Sequence, residues 1–547
     1  MIWGLVLGPL LAGAALYLLP RRAEGPATWI AAAVAFASFL SALGLRDAPD
    51  QSVRWFQRPF TANFHVGLGS GISFWLVLLV TLVTGCALLV TRVPRQRDFV
   101  AQMLFLLAAM TGVFVARDVL LFALFFDLML IPVFLVLVMW GPPTSSAWRY
   151  LIYNLSGGLG LLLATAAYGV INGSTDVIGT SVGAGATAIG NIYGPWIFAG
   201  FALAFLIKTP VWPLHTWMPD TYADLPPPVV AAVSAVQSKA GLYGFIVIGL
   251  ALFPTYMHAA APVMFVLGLI SLLYGGLVAL TQDDLKRIVA YSSLSHLGLI
   301  ILAIFSFNSV ALAGAVVYII AHGLFSAALF LILGWIESRE ETRSLARLGG
   351  LGARNPRLAG ALVIAALAAL GLPGLCGFAG ELLILTGVYK AGYVWPAAIA
   401  LIPIVLAAAY MLRLYQGTMN GPEVPDLPQR PDLTWLEGLA LTPLVIAIVW
   451  LGVDAGPLAR IEPQLTHVVG LDAGCLPRNS AAAAVGVRVT AAPGLSADQT
   501  ADVLSACYAI AGTGELATFD SVRADYLRDS TLLVPMKEHH ADTSIQH

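Results

Sequence analysis

An all-α polytopic membrane protein of about 14 transmembrane helices is the fold class this sequence predicts. Three observations carry it. The chain of 547 residues is 59% hydrophobic and 11% charged, with a mean hydropathy of +0.84, against roughly a quarter of charged residues in a soluble domain. Apolar runs of about 20 residues, enough to cross roughly 30 Å of hydrocarbon, recur with short polar gaps from Met1 to about Val453. The basic residues alternate. If the N-terminus lies outside, the loops assigned inside hold 14 of the 28 lysines and arginines and those assigned outside hold 6, as the positive-inside rule requires. Backbone groups in lipid must bond internally, and runs of this length specify helices rather than barrel strands. Of the other basic residues, five lie in a C-terminal tail and Arg413 late in a helix. Lys208 and Lys239 are left inside apolar segments.

Taken in order, helices are expected at about 2 to 20, 28 to 45 and 71 to 92, with a polar outer loop from Arg46 to Ser70. The first lacks a basic lead and a small-residue cleavage site and reads as a retained helix rather than a signal peptide. The fourth and fifth, about 98 to 115 and 118 to 139, meet at Arg117 and Asp118. The fifth carries Asp127, with Pro132 five residues later. A carboxylate at that depth suits neutralising a lysine or carrying a proton. The alternative is a carboxyl hydrogen-bonded inside a bundle. The sixth, about 147 to 171, opens at Trp148, Arg149 and Tyr150, a candidate inner anchor. A loop rich in Gly, Ser and Thr follows, Asn172 to Gly194.

The seventh and eighth helices hold the two lysines. Between Lys208 and Lys239 stand Pro210, Pro213, His215, Trp217, Pro219 and Asp220. The prolines remove backbone donors and favour a broken helix, the kind of element in which transporters build their sites. A lysine near the bilayer centre usually marks an ion or proton path. The turn after it, with Asp220 and Asp224 and no basic residue, reads either as an acidic mouth for protons or as a rigid turn.

The ninth helix is expected at about 263 to 280. The tenth, after Lys286 and Arg287, carries His296, and the eleventh, Val310 to Glu337, carries His322. One buried histidine is more often a structural group. Two on adjacent helices, with Ser292, Ser293, Ser295 and Ser326 nearby, suit a water file passing protons near neutral pH. In the twelfth, Pro373 and glycines 371, 374, 377 and 380 precede Glu381, a second predicted break. The thirteenth and fourteenth lie at about 394 to 416 and 435 to 453. Two units of five helices, each with its fourth helix broken beside an ionisable residue (helices 7 and 12), read as an inverted repeat.

These residues form a candidate proton chain of Asp127 with Lys208, then Lys239, His296 and His322, then Glu381. Burial disfavours an ammonium and a nearby carboxylate restores it. At about 5 Å and an effective dielectric near 20 that attraction is roughly 3 kcal/mol, so moving the carboxylate loads or unloads the amine. The chain divides into a transmembrane domain, 1–455, and a polar tail, 456–547, expected on the outer side, where Cys475 and Cys507 suit a disulfide. Cys86 and Cys376 read as packing residues. There is no CxxC, no clustered Cys/His set, no Walker loop and no dinucleotide fingerprint, so metal, iron-sulfur, haem c and nucleotide sites are not expected.

DLMLIP around Asp127, the stretch from Lys208 through HTWMPD at Asp220, KAGLYG at Lys239, DDLKRIVAYSSLSHLG through His296, AHGLFSAALF at His322 and GLPGLCGFAGE ending at Glu381 resemble the antiporter-like proton-pumping subunits of respiratory complex I, the NADH-quinone oxidoreductase. The resemblance covers residues 1 to about 455, and Glu381 resembles the M type (chain 4), where L, N and Mrp types tend to have lysine. It implies the carboxylate and lysine pair, the central Lys239, exit at Glu381, L- and N-type subunits as neighbours, and a cytoplasmic or inner membrane location with both termini outside. It also implies no cofactor in this chain, with FMN, iron-sulfur clusters and quinone in partner subunits, and no nucleic-acid partner. Three departures stand out: Asp127 in place of glutamate, Tyr222 in place of histidine, and Ser70 in place of aspartate. The expected function is coupled proton translocation. The rivals are an Mrp-type cation/proton antiporter subunit, a hydrogenase or formate hydrogenlyase membrane subunit, and a structural spacer that no longer pumps.

Overall fold

The computed structural model describes residues 1–20, 24–69, 71–176, 192–422 and 431–459, and the backbone of 487–490 and 531–534. Ser70, most of the 172–194 loop, Arg430, Cys475 and Cys507 lie outside the described residues. The helices in chain order are α1 (Gly4–Leu16), α2 (Glu24–Gly44), α3 (Ile72–Leu89), α4 (Gln96–Val115), α5 (Val119–Trp140), α6 (Ser146–Asn172), α7 (Gly194–Lys208) and α8 (Met218–Asp224). They continue with α9 (Pro227–Leu252), α10 (Pro254–Thr281), α11 (Leu285–Phe305), α12 (Ser309–Glu340), α13 (Pro356–Ala369), α14 (Cys376–Lys390), α15 (Val394–Met419) and α16 (Trp435–Val453). Among the described residues 11 of these are long and apolar enough to cross a membrane alone, and α1, α7 and α13 are shorter apolar helices.

Proline and aspartate set many of the boundaries. Pro254 starts α10, nine residues earlier than the sequence predicts, because proline fits the first helical turn, where its missing N–H has no intrahelical partner. Pro262 is absorbed inside the same helix. Asp118 caps α5, its carboxylate accepting from the amides of Leu120 and Leu121 at 2.8 and 3.2 Å; Asp284 caps α11 likewise, accepting from Lys286 and Arg287. The predicted breaks are present. Helix α7 ends at Lys208 and the chain stays non-helical until Met218, and residues 370–375 separate α13 from α14. Gly371 and Gly374 there have φ of +76° and +91°, values that glycine adopts without strain.

Helices buried on every side form the centre. The apolar window of α12 is 100% buried, that of α11 94%, and those of α4 and α9 89% each, against 28% for α16. A helix apolar all round needs such a place, and three of the four central helices carry Lys239, His296 and His322. Glycine allows α10 and α11 to close together: a Cβ at Gly298 would stand 2.6 Å from the Gly268 carbonyl oxygen.

The two ends of the bundle differ. At one, arginines and carboxylates interlock, with Arg339 on Glu437 at 2.6 Å, Lys286 on Glu337 at 2.6 Å and Arg343 on Asp284 at 2.7 Å. At the other lies a feature absent from the sequence reading, an antiparallel hairpin of β1 (Gln51–Phe56) and β2 (Ala62–Val66). A second antiparallel pair joins β3 (Val487–Thr490) to β4 (Thr531–Val534) in the tail. The first hairpin is tied to the helix ends: the Asn63 amide and the Thr175 hydroxyl both donate to Asp118, at 3.1 and 2.8 Å, and His65 Nδ1 lies 3.0 Å from Asp176.

Asp118 thus joins a helix cap to two loops at this end of the bundle. Asp118→Ala is expected to lower stability by about 2 kcal/mol, the upper end for a cap, read as a lower melting temperature in detergent. Asp118→Asn, which keeps acceptor oxygen, loses less. An unchanged melting temperature in Asp118→Ala would show that the cap contributes nothing.

Candidate functional site

Lys208 is the last residue of α7, at the point where the prolines stop the helix. The freed Ile207 carbonyl accepts from the Trp217 indole at 3.0 Å, and the Trp212 amide donates to Ser271 at 2.9 Å, so the break is satisfied by neighbours. The Lys208 side chain is buried. Its Nζ donates to Asn154 Oδ1 on α6 at 3.3 Å and stands 4.8 Å from the centre of the Phe126 ring on α5. Asp127, the next residue on α5, is near enough for its charge to act on Lys208, yet no ion pair within 4.0 Å joins them. Its carboxylate rests on Gly158 of α6, where a Cβ would overlap it. Pro132, which cannot donate to Leu128, accompanies a one-residue irregularity at Met129 just past the acid.

Lys239 follows a π-helical turn, Val233–Gln237, within α9, and a second lies at Phe245–Gly249. The eighth predicted helix is thus interrupted twice; π turns widen the backbone and expose carbonyls, and they recur at functional sites. Lys239 is fully buried. Its Nζ donates to the Ser234 carbonyl, to Ser238 Oγ at 3.3 Å, and bonds His322 Nδ1 at 2.7 Å. Three donors meet three neutral partners.

Between the lysines lie residues that the sequence reading missed or placed elsewhere. Asn154 donates back to the Tyr150 carbonyl at 3.0 Å, and the Tyr150 hydroxyl accepts from Gln237 Nε2 at 2.7 Å. Tyr150 is therefore a buried link rather than a surface anchor, because Gln237 draws it inward. Trp148 is the exposed member of that trio and Arg149 pairs with Asp220. An asparagine one helical turn from a glycine pair was the available signal, since a polar amide inside an apolar run wants a partner.

Beyond Lys239, the His322 and His296 rings lie 5.5 Å apart, and His296 meets Tyr318 edge-on at 5.7 Å. Neither ring nitrogen of His296, nor Nε2 of His322, has a hydrogen-bond partner among the described residues. The Tyr318 hydroxyl donates to Glu381 Oε1 at 2.6 Å. The other carboxylate oxygen of Glu381 packs on Gly371, where a Cβ would overlap it, so the positive-φ glycine of the second break makes room for the acid. Ser293, Ser295 and Ser326, expected beside a water file, donate their hydroxyl hydrogens to the carbonyls of Val289, Leu272 and Gly323 instead. Helical serines spend the proton this way when a carbonyl is within reach.

The acidic turn is fastened rather than open. Asp220 pairs with Arg149 and with Arg287 at 2.8 Å, Asp224 accepts from Thr144 at 2.6 Å, and Lys286 donates to the carbonyls of Ala223 and Leu225. These basic partners, which the turn itself lacks, come from two other elements, α6 and α11. Tyr222 is buried, edge-on to Trp217 and Phe330. Among the described residues no group of three or more His, Cys, Asp or Glu stands together as a metal site would require.

A bundle with interrupted helices and a file of buried titratable groups defines a transporter-like membrane protein. The chain belongs to the NADH:quinone oxidoreductase/Mrp antiporter transmembrane family, whose profile matches residues 116–407. It is 34% identical to NADH-quinone oxidoreductase subunit M of Rhodobacter capsulatus over 84% of this chain and 94% of that protein. A chain of respiratory complex I from Thermus thermophilus superposes with a TM-score of 0.76 at 30% identity, covering 86% of this chain and all of that one. A chain of the Mrp complex from Dietzia sp. DQ12-45-1b shares the fold, with a TM-score of 0.75 at 20% identity over 85% of this chain and 97% of that one.

Tyr318→Phe removes the one donor seen on Glu381. It is expected to shift the Glu381 carboxyl stretch in infrared difference spectra, a band absent from Glu381→Gln, and to cost about 1–3 kcal/mol. A band unmoved by the tyrosine change would mean that the bond is not made.

Proposed function

We propose that this chain is a proton-translocating membrane subunit of a complex I-type NADH:quinone oxidoreductase, of the M type. The observation that carries it is the file of titratable groups from the half-buried Asp127 through the buried Lys208, Lys239, His322 and His296 to Glu381, on a fold and at a sequence identity shared with subunit M of such enzymes. Fold alone does not separate this reading from an Mrp antiporter; the identity to subunit M proteins favours the respiratory complex.

In this reading the membrane is crossed 14 times, the three short apolar helices completing the 11 long ones, in two inverted five-helix repeats with the arginine-rich end inside. L- and N-type subunits flank it, and FMN, iron-sulfur clusters and quinone sit in partner chains. The tail, 456–547, lies outside. Lys208 exchanges its proton under the influence of Asp127. Asn154, Tyr150 and Gln237 extend the polar contacts of Lys208 toward the π turn that precedes Lys239. Lys239 hands a proton to His322 Nδ1 along the 2.7 Å contact. An imidazole takes a proton at one nitrogen and gives it up at the other. The unpartnered nitrogens of His322 and His296 are groups that water bridges in a buried polar file. Tyr318 and Glu381 receive the proton on the exit side. Quinone reduction in partner subunits drives the changes in charge, and this chain holds no redox centre.

Lys239→Ala is expected to abolish coupled proton transport in vesicles while the complex still assembles, and unchanged pumping would refute the amine as carrier. Asp127→Ala should lower pumping strongly; no effect would leave a spacer with a vestigial acid. Flavin and iron-sulfur proteins should purify with the chain, and their absence would favour the Mrp reading.

A further inference from the structure

We propose that Asn154 is a positioning residue that holds Lys208 apart from Asp127, so that the pair rests open, with Gly158 as the seat of the carboxylate. This rests on the proton-transfer reading above and adds to it what keeps the pair open.

The geometry has four parts. The Lys208 amine donates to Asn154 Oδ1 at 3.3 Å. Asn154 is buried, and its Nδ2 donates to the Tyr150 carbonyl at 3.0 Å, which fixes the amide with its oxygen toward the lysine. Turning it over would present NH2 to an amine and lose both bonds. The Asp127 carboxylate occupies the space that a side chain at 158 would fill. Positions 154 and 158 are one turn apart, about 6 Å along the axis of α6. The same helix face therefore receives the amine at one level and the acid at the next, and no ion pair within 4.0 Å joins them.

A neutral amide suits this task. It satisfies one donor of the amine without adding a charge, so Lys208 can lose its proton and keep its place. A carboxylate at 154 would hold the charged amine permanently, since breaking a buried pair leaves an uncompensated charge. The shorter side chain of Asp127 agrees with a resting separation, because it reaches the glycine seat on α6 but not the amine.

The test uses the complete membrane complex in liposomes, with protons moved per quinone reduced and melting temperature measured on the same preparations. Asn154→Asp keeps the shape of the side chain. The share of protons per quinone moved through this chain is expected to be lost, while the melting temperature is kept or raised. Gly158→Ala unseats Asp127 with Asn154 intact and should also lower the ratio. Normal pumping in Asn154→Asp or in Gly158→Ala would overturn the proposal, as would loss of pumping and stability together in Asn154→Asp. Lys239→Ala in the same assay separates the two readings. If it pumps normally the relay itself fails; if it stops while Asn154→Asp pumps, only the role of Asn154 fails.

Discussion

Burying an ammonium where water does not reach costs several kcal/mol unless every donor is met, and the centre of this protein is arranged around that constraint at Lys239. Three neutral acceptors surround the amine: a carbonyl opened by the π turn, a serine one residue away in sequence, and a histidine from α12. None is a counter-charge. The amine is therefore hydrogen-bonded without being locked in its charged form, which is what a carrier needs and a structural ion pair lacks. Lys208 follows a variant of the same rule, with an amide oxygen, an aromatic face and an acid held at a distance.

Helical irregularities supply the polar groups. Regular transmembrane helices consume their own carbonyls, so a polar file through a bundle needs places where the ladder opens. Four such places coincide with the titratable residues: the α7 break at Lys208, the π turn before Lys239, the irregularity after Asp127, and the α13 to α14 gap before Glu381. Away from them the helices pack through small residues and apolar faces. The interlocked arginines and carboxylates at one end and the hairpin clamp at the other fix the frame against which these openings stand.

Structural likeness to both a complex I chain and an Mrp chain shows a scaffold that serves more than one assembly, so function has to be argued from the site and from sequence relatives. Around the α5 acid the structure shows a carboxylate seated on Gly158 and, one turn away on the same helix, Asn154 accepting from Lys208.

Hydrophobic run length, charge placement and proline-glycine clusters are local properties, and they made the membrane class, most helix positions and both breaks legible, along with the acids, lysines and histidines proposed to form the file. Asp127, Lys208, Lys239, His296, His322 and Glu381 stood out because a titratable group in an apolar run is conspicuous. Asn154, Tyr150, Gln237 and Tyr318 did not, since neutral polar residues are common in such runs and only a partner on another helix gives them a role. The clamp of the hairpin on Asp118, the fastening of Asp220 by Arg149 and Arg287, and the turning of Ser295 toward the Leu272 carbonyl likewise depend on contacts between segments distant in sequence. Composition and period determined which groups enter the membrane; packing decided which of them touch across helices, because a bond between two helices needs a distance and direction that neither segment contains.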